Sequence, residues 1–588
     1  MKKIKWSKYQ TDIFDFIKNG QGNAVIEACA GAGKTSTILE CLKLIDESDN
    51  IMLSAFNKEI AEVLKKKTKK LPNVKALTIH SLGLQILYRN FKNTKIEIDS
   101  YKYKSYVRNN ISKLSSSNIL LGSWSDTCTY LDNIDKLINF GRSYLYQTVE
   151  DLEKIADKYD ITIKDDEKTV AIKAIEWGKK HIETIDFIDM VALPNYLMLD
   201  SKGLKYDWIF VDEAQDLSVA QRETILKCRK INTRLIFTGD KNQCLYAFMS
   251  ADPNSFEKLK EIPNTTILPL SISYRCADTI VNYAQKIVSS IECNSDKRVG
   301  IIEMNSSIDE IKNGDMVLCR NNAPLIKLYG LLLSKGKKAF IKGKDIGNNL
   351  INIVNTTNKK KLSVDLKEKG VFSELYLSLI KERNKLMINK NISKKDANIS
   401  SIIETKWDQI QALEIIADKL STAKELTKSI GSIFSDTDKN NDGIMLSTVH
   451  KAKGLEADRV FIACNSLMPS KTAKEEWEKL QEKNLMYVAY TRSKNFLGFL
   501  VEDDFKQFTS NKNDSKFEII ENKICSLYNL KRVIEKHDVE KAKLIIENAT
   551  KIAPQKNNKQ IINIKDAASK KKMDNIIMFN NKRIIKRK

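Results

Sequence analysis

A glycine-rich stretch that ends in lysine and threonine is the part of the sequence best suited to chemistry. Gly31 and Gly33 leave the chain free to turn, so backbone N–H groups could close around phosphate oxygens. Lys34 is placed to reach the β- and γ-phosphates of a nucleotide, and the Thr35 hydroxyl can hold Mg²⁺. The candidate phosphate-binding residues are Ala28, Cys29, Ala30, Gly31, Ala32, Gly33, Lys34, Thr35 and Ser36.

Two further polar clusters follow apolar runs that are typical of buried strands. Asp212 and Glu213 come directly after Tyr206–Val211, where a phosphate-binding-loop fold places its Mg²⁺ partner. Asp212 suits Mg²⁺, directly or through water, and Glu213 suits the base that orients an attacking water. Gln243 follows a third run, Arg234–Gly239, and we predict that its amide senses the γ-phosphate.

The elements that must position these residues follow a strand, turn and helix pattern. Ala24–Ala28 is predicted as a short buried strand, and the run after Thr35 predicts a helix whose N-terminus adds its positive end to the site. Ala28 replaces the first glycine of the pattern, and a tight turn accepts alanine if φ is negative. One crossover needs only about 30 residues. A large insertion is therefore expected between Lys34 and Asp212.

Composition points to a polyanion partner. The chain has 588 residues with 98 Lys+Arg against 75 Asp+Glu, a formal net charge of +23. Nucleic acid is the first candidate and an anionic membrane surface the second. No run reaches 18 apolar residues, so no membrane span is expected. The cysteines are scattered singly, without metal-ligand spacing, and no secretory signal is seen, so we expect an intracellular protein.

An ordered series of motifs resembles the superfamily-one DNA helicases of the UvrD/Rep/PcrA type. The matching stretches, from the adenine-reading Q motif through motifs I, Ia, Ib and II to VI, are Trp6–Gln10, Ala28–Thr35, Ser54–Lys58, Thr78–Gly83, Val211–Asp216, Gly239–Phe248, Ser273–Arg275, Ser447–Glu456 and Asn484–Arg492. Ile185–Met190 and the Ala-Phe-Asn-Lys form of motif Ia are similar to the F-box DNA helicase branch and its phage-type relatives.

The resemblance implies ATP hydrolysis, with Mg²⁺, between two RecA-like domains. One domain brings the phosphate-binding loop and the other brings Arg275 and Arg492, so phosphoryl charge is stabilised only when the cleft is shut. It further implies that Tyr274 stacks on adenine, that Gln10 reads the adenine edge, and that Glu456 contacts the ribose or the γ-phosphate region.

The resemblance also implies a binding surface for single-stranded DNA and single-strand/duplex junctions. Such a surface combines aromatic faces for bases with polar and cationic groups for phosphates. Motif III has Met249 where relatives carry an arginine, so one cationic contact is missing. The candidate DNA-side residues are Phe56, Asn57, Thr78, His80, Tyr246, Phe248 and His450.

The predicted fold class is α/β, with two RecA-like domains built on parallel sheets that each carry a helical insertion. The first motor domain is predicted over 1–95 and 190–272 with an insert at 96–189, and the second over 273–345 and 441–505 with an insert at 346–440. A basic, partly disordered tail is predicted over 506–588, and a helix within it over Glu535–Thr550.

The favoured function is an ATP-dependent DNA helicase that moves 3′ to 5′ on single-stranded DNA in repair, recombination or replication. A translocase that strips bound proteins with little unwinding stays open, as does a non-catalytic nucleic-acid scaffold. Protein partners could dock on the tail. The expected location is the cytoplasm or nucleoid for a prokaryotic or phage protein and the nucleus for a eukaryotic one.

Overall fold

The computed structural model describes residues 5–55, 58–114, 124–159, 161, 163, 165–245, 254–296, 298–357, 371–389, 400–418, 420–435 and 443–509. The described chain divides into two compact units. The first comprises residues up to 320 together with those from 441 to 504, and the second comprises 321–440 and the chain after 504. Within the described residues no helix is long and apolar enough to cross a membrane.

Strands are numbered along the chain through both units. They are β1 Asn23–Ala28, β2 Ile51–Ala55, β3 Val74–Thr78, β4 Glu97–Ile98, β5 Thr184–Ile185, β6 Tyr206–Val211, β7 Arg229–Gly239, β8 Thr265–Leu270, β9 Ile272–Ser273, β10 Glu292–Cys293, β11 Ile301–Ser306, β12 Met316–Cys319, β13 Ala339–Lys342, β14 Phe434–Ser435, β15 Ile444–Thr448, β16 Ala457–Ile462 and β17 Ser493–Leu500.

Helices are numbered in the same way. They are α1 Lys8–Asn19, α2 Lys34–Leu42, α3 Lys58–Lys67, α4 Ile79–Asn90, α5 Lys102–Leu114, α6 Trp124–Tyr144, α7 Val149–Lys158, α8 Asp165–Lys180, α9 Asp189–Tyr196, α10 Val219–Lys227, α11 Ser255–Lys260, α12 Asp278–Ala284, α13 Asn322–Ser334, α14 Lys344–Thr357, α15 Val371–Asn389, α16 Ser401–Ala417, α17 Ala423–Ile433, α18 Glu476–Tyr490 and α19 Lys506–Thr509.

The first unit contains a six-stranded parallel sheet in the order β3-β2-β6-β7-β1-β8. Its central strands are apolar because both faces are covered, with Ile26 and Phe210 on one face and Val25 and Phe237 on the other. Parallel strands end at the same edge, so the residues that follow β1, β6 and β7 meet there. This edge carries the predicted phosphate-binding loop and both acidic clusters.

A second parallel sheet of the same unit runs β11-β17-β16-β12-β15. Its hydrophobic cluster contains Leu318 and Tyr487, and it also takes in Cys29 and Ala30 from the phosphate-binding loop. The first sheet's loop therefore packs directly into the second sheet's core. Two parallel sheets with helices confirm the predicted α/β class, whereas the domain boundaries stay predictions.

Helices α5 to α8, which lie between β4 and β5 in the chain, form an α-helical layer with its own hydrophobic core. A buried charge network ties this layer to α9. Arg142 donates through Nη1 and Nη2 to the two Asp186 carboxylate oxygens at 2.6 and 2.7 Å, and through Nη1 to Asp189 at 2.9 Å. Lys102 and Tyr103 each bond Asp189 at 2.8 Å. The Asp186 and Asp189 pair belongs to the motif that resembled the F-box branch.

The second unit is mostly helical over its described residues. It holds α13 to α17 and α19, with β13 paired to β14 in parallel. Asp408 of α16 accepts from the Asn322 and Ala323 backbone N–H groups at 3.0 and 2.9 Å, which caps the start of α13. The predicted tail from 510 onward, including the helix at Glu535–Thr550, lies outside the described residues.

Candidate nucleotide site between two parallel sheets

The phosphate-binding loop joins β1 to α2 as the sequence predicted. Gly31 and Gly33 have φ of 74° and 80°, in the left-handed region that favours glycine. Ala28, which ends β1, has no positive φ, so its replacement of glycine is tolerated. A β-carbon added at Gly31 would lie 2.5 Å from the Arg275 β-carbon, so the close approach of the segment after β9 also requires glycine there.

The predicted catalytic and Mg²⁺-binding side chains face one another at the sheet edge. Lys34 Nζ lies 2.8 Å from Glu213 Oε1, and the Thr35 hydroxyl is 3.4 Å from Asp212 Oδ2. Glu213 has φ 54° and ψ 42°, a left-handed conformation that costs a non-glycine residue on the order of 1–3 kcal/mol. Strain of this kind is typical of functional sites, where the surrounding fold holds one residue in place.

Burial and neighbouring charges shift the pKa values of these groups. Burial and the Glu213 charge raise the pKa of Asp212. Burial opposes ionisation of Glu213, but the charges of Lys34 and Lys453 outweigh it and lower the pKa of Glu213. Burial likewise disfavours the Lys34 ammonium, yet the surrounding carboxylates raise its pKa. Lys34 and Glu213 are thus a charged pair, and Asp212 is a buried carboxyl without equal compensation.

The third strand end contributes a hydrogen-bonded network. Asp240, just after β7, accepts from the Gln243 side-chain amide at 2.7 Å. The Asp240 backbone N–H donates to Gln215 Oε1 at 3.1 Å, and Gln215 donates to Glu213 Oε2 at 2.5 Å. The candidate γ-phosphate sensor is therefore joined to Glu213 through Asp240 and Gln215.

Both predicted arginines lie at this cleft. Arg492 is buried, and its Nη2 donates to Gln243 Oε1 at 3.3 Å. Burial, then the nearby Arg275, lowers the pKa of Arg492 to about 10. Arg275 contacts the loop at Gly31 and bonds Glu456 through Nε at 2.7 Å. The structure thus brings both arginines next to the loop and Gln243, while their roles towards phosphate stay predictions.

The predicted adenine-binding residues also meet. Gln10 is buried, and the Tyr274 hydroxyl donates to its Oε1 at 3.3 Å. Gln10 in turn donates to the Thr37 hydroxyl at 3.0 Å, and the Tyr274 backbone N–H donates to Gly31 O at 2.9 Å. Ser36 lies nearby in the chain and is exposed. Tyr274 and Gln10 therefore lie together beside Gly33, as adenine recognition requires.

Glu456 is held by two cations, Arg275 just after β9 and Lys494 on β17. It accepts from Arg275 at 2.7 Å and lies 3.0 Å from Lys494 Nζ. Burial opposes its ionisation, but Lys494 and Arg275 lower its pKa. Its carboxylate is thus charged and adjacent to one arginine of the cleft.

The candidate DNA-side residues are only partly described. Phe56, Asn57, Tyr246 and Phe248 lie outside the described residues. Thr78 caps α4, because its hydroxyl accepts from the Ser81 backbone N–H at 3.2 Å.

The two histidines among the DNA-side candidates, His80 and His450, lie in different places. His80 lines a small cleft with Asp212, Glu213 and Asp216, and burial lowers its pKa. His450 has a pKa lowered to about 4 by burial and then by the charge of Arg320. Both imidazoles therefore favour their neutral form, as coupling or stacking roles would allow. Their DNA contact stays a prediction.

Two family sequence models match the chain. The UvrD/REP helicase N-terminal domain matches residues 10–263, and the UvrD-like helicase C-terminal domain matches residues 333–502. Together these ranges take in well over half of the chain. The chain belongs to the UvrD-like helicases of superfamily one. The family consists of ATP-dependent DNA helicases, so the predicted family and enzyme class are confirmed.

Individual UvrD-like relatives match most of the chain at low identity. The ATP-dependent DNA helicase Rep of Buchnera aphidicola subsp. Acyrthosiphon pisum is 23% identical and covers 81% of this chain and 92% of its own. The ATP-dependent DNA helicase PcrA of Staphylococcus aureus strain Mu50 is 24% identical, and the match covers 83% of this chain and 82% of PcrA. A probable DNA helicase II homolog of Mycoplasma genitalium is 23% identical, and the match covers 82% of this chain and 83% of the homolog. The finer resemblance to the F-box branch stays a prediction.

The structure adds site residues of this UvrD-like helicase that sequence reasoning did not assign. Lys453 bonds Asp216 and donates to Gln243 O at 2.7 Å, which joins motif V to motifs II and III. The Tyr487 hydroxyl accepts from the Ala30 backbone N–H at 2.9 Å. A signal was present for Lys453, a charged residue inside a quoted motif. Tyr487 also lies inside a quoted motif, but a tyrosine in an apolar helix is typical of a core residue, so the sequence did not indicate its contact with the loop.

Proposed function

We propose that this UvrD-like helicase moves 3′ to 5′ along single-stranded DNA and separates duplexes at single-strand/duplex junctions. The observation that carries the proposal is the position of two arginines. Arg275, which follows β9, lies against the phosphate-binding loop, and Arg492, which joins α18 to β17 of the second sheet, lies against Gln243. A triphosphate between the sheets would therefore be gripped from both sides.

ATP binding rests on groups from both sheets. The loop N–H groups and Lys34 hold the β- and γ-phosphates, while Gln10 and Tyr274 hold adenine. Arg275 and Arg492 stabilise the negative charge on the phosphoryl group during transfer, and Gln243 reports the γ-phosphate to Arg492. Glu456 orients Arg275 at the ribose side.

Water attack is assigned to Glu213. Its lowered pKa keeps it ionised, so its carboxylate can accept a hydrogen bond from water and orient it towards the γ-phosphate. Lys34, which pairs with Glu213 here, has to turn towards the triphosphate for this role. Glu213 is then free to hold the water.

A Mg²⁺ site fits Thr35 and Asp212. A hydroxyl and a buried carboxylate 3.4 Å apart are hard oxygen donors of the kind Mg²⁺ prefers. The described residues contain no group of three or more His, Cys, Asp or Glu side chains suited to a metal. Phosphate oxygens of the substrate must then complete the coordination, which is usual for Mg²⁺. When bound, the ion would neutralise phosphate charge.

Strand movement follows from closing and opening of the cleft. ATP binding draws the arginines and the loop together, and loss of the γ-phosphate releases them. Three of the DNA-side candidates lie at strand ends of the two sheets. Thr78 ends β3, His80 lies in the first turn of α4, and His450 follows β15. Alternating grips by the two sheets then advance the strand.

Unwinding of duplexes that carry either a 3′ or a 5′ single-stranded tail tests this function, with ATP hydrolysis followed in parallel. Unwinding from the 3′ tail only, lost in Lys34→Ala, supports the proposal. Unwinding from the 5′ tail only overturns the polarity. ATP hydrolysis stimulated by single-stranded DNA without unwinding would favour a protein-stripping translocase, and no hydrolysis would favour a scaffold.

A further inference from the structure

A chain of hydrogen bonds runs from the phosphate-binding loop to both arginines of the cleft. We propose that Tyr487 and Thr491 are positioning residues that fix the loop and the two arginines in one geometry for phosphoryl transfer. The inference rests on the proposed function of this cleft. It assigns no contact with ATP to either residue, because each acts through another group.

The first link joins Tyr487 to the loop. Its hydroxyl accepts from the Ala30 backbone N–H at 2.9 Å, and the side chain is completely buried. The same hydroxyl also interacts with the Cys29 thiol. Burial raises the pKa of this thiol to about 12, although the interaction with Tyr487 by itself acts to lower it. One tyrosine of the second sheet's helix α18 thus holds two consecutive residues of the first sheet's loop.

The second link joins Tyr487 to Thr491. The Thr491 hydroxyl donates to the backbone carbonyl oxygen of Tyr487 at 2.7 Å, and the Thr491 backbone N–H donates to the same carbonyl oxygen at 3.1 Å. Thr491 is completely buried just after the end of α18. The position of the helix end is therefore set by the residue that grips the loop.

The third link reaches both arginines. Arg275 Nη1 donates to Thr491 O at 3.3 Å, and Arg492 Nη2 lies 3.4 Å from the Thr491 hydroxyl oxygen. Arg275 comes from a separate chain segment, yet it shares this anchor with Arg492. Thr491 is thus a common support for the two guanidinium groups that face the triphosphate.

This arrangement predicts an effect on turnover more than on ATP binding. ATP is held by many groups, so a small shift of the loop costs little affinity. Phosphoryl transfer needs donors and arginines in place together, and a misplacement of about 1 Å can cost about a hundredfold in rate. Removing the Tyr487 hydroxyl leaves the Ala30 N–H buried without its acceptor, which favours such a shift.

The experiment compares Tyr487→Phe with Tyr490→Phe in the full chain. Tyr490 is also buried in α18, and its hydroxyl donates to Asn465 at 3.1 Å, away from the loop. Both variants lose one buried tyrosine hydroxyl, so general destabilisation is matched. We expect kcat of DNA-stimulated ATP hydrolysis to fall about tenfold in Tyr487→Phe, with KM within about threefold, and Tyr490→Phe to stay near wild type.

Substitutions at Thr491 test the two bonds of its hydroxyl, to the Tyr487 backbone carbonyl and to Arg492, while the backbone carbonyl that Arg275 bonds stays in place. Thr491→Val removes the hydroxyl at nearly constant volume and should lower kcat about tenfold, whereas Thr491→Ser restores the hydroxyl and most of the rate. In the double variant Tyr487→Phe/Thr491→Val the loss should be close to that of the worse single variant, because both act through one chain of bonds.

The outcomes separate this inference from the proposed function. Equal kcat values in Tyr487→Phe and Tyr490→Phe, in a wild-type enzyme that hydrolyses ATP on DNA, would overturn the positioning role and leave the function intact. A Thr491→Ser variant as slow as Thr491→Val would also overturn it. A wild-type enzyme without DNA-stimulated hydrolysis would instead remove the proposed function.

Discussion

The nucleotide cleft and the charge network of the α5–α8 layer both bury several ionised groups, but the cleft leaves some of its groups without full compensation. In the layer, burial is outweighed by partners, so the pKa of Asp186 is lowered and that of Arg142 is raised. In the cleft, the Lys34 and Glu213 pair is compensated in the same way, but burial raises the pKa of Asp216 to about 6 and lowers that of Arg492 to about 10.

The contrast separates a structural charge cluster from a candidate ligand-binding site. Arg142 meets two carboxylates with near-ideal geometry, so the network is satisfied by the protein itself. In the cleft, Asp212 and Arg492 are shifted towards their neutral forms, because the protein does not supply all the opposite charge. A triphosphate with Mg²⁺ would supply charge of both signs.

Lys34→Ala gives the largest expected effect and tests the cleft side of this contrast. Removal of the lysine should lower kcat of DNA-stimulated ATP hydrolysis by about a thousandfold or more, because no other described side chain replaces its contact to the phosphates. The thermal unfolding midpoint should also fall, because Glu213 loses its partner, so kcat is compared per folded molecule. Lys43→Ala, on the exposed end region of the same helix, is the control and should hydrolyse ATP normally.

Glu213→Gln should have the next largest effect. The amide keeps the size of the side chain and can still accept a hydrogen bond, but it is uncharged and not basic, so turnover should fall about a hundredfold or more. ATP should still bind, as measured with a fluorescent nucleotide analogue. Near-normal turnover in this variant would remove Glu213 from its assigned role.

Arg142→Ala tests the structural side of the contrast. Loss of Arg142 leaves Asp186 without its partner and Asp189 with Lys102 and Tyr103, and breaking a buried pair in this way costs about 3–5 kcal/mol. The thermal unfolding midpoint should therefore fall by several degrees, while kcat per folded molecule stays within about threefold. Arg108→Ala, an exposed arginine on α5, is the matched control. A large loss of kcat without destabilisation would place the network in the catalytic machinery.

The Mg²⁺ dependence of the reaction should change with pH to a smaller extent. Because the pKa of Asp212 is raised, its protonated form becomes populated as the pH falls from neutrality, and a protonated carboxyl does not ligate Mg²⁺. The free Mg²⁺ needed for half-maximal ATP hydrolysis should rise several-fold between about pH 7.5 and pH 5.5. A constant requirement would show that Asp212 stays ionised or does not hold the ion.

The parts of this molecule that sequence could predict are the local ones. The loop at Gly31–Thr35 and the Asp212-Glu213 pair can be predicted from strand, turn and helix patterns within a few residues of each. The contacts of Arg492 with Gln243 and of Tyr487 with Ala30 join segments hundreds of positions apart, and no local pattern encodes such pairing. Motif resemblance placed the arginines at the cleft but gave no partner for either.

The charge network shows a second limit. Asp186 and Asp189 stand three positions apart in an otherwise apolar run, which signals buried and paired carboxylates. Their partners Lys102 and Arg142 lie on α5 and α6, and in a chain rich in lysine nothing distinguishes these cations from exposed ones. Only the packed helices select them.

The central claim is that the second sheet supplies the arginine that completes the ATP site of the first. The most direct test is kcat of ATP hydrolysis on single-stranded DNA for Arg492→Ala at saturating ATP, with ATP affinity and thermal unfolding measured on the same sample. We predict a loss of about a thousandfold in kcat with ATP affinity within a few-fold. A folded variant that turns over ATP at the wild-type rate would contradict the claim.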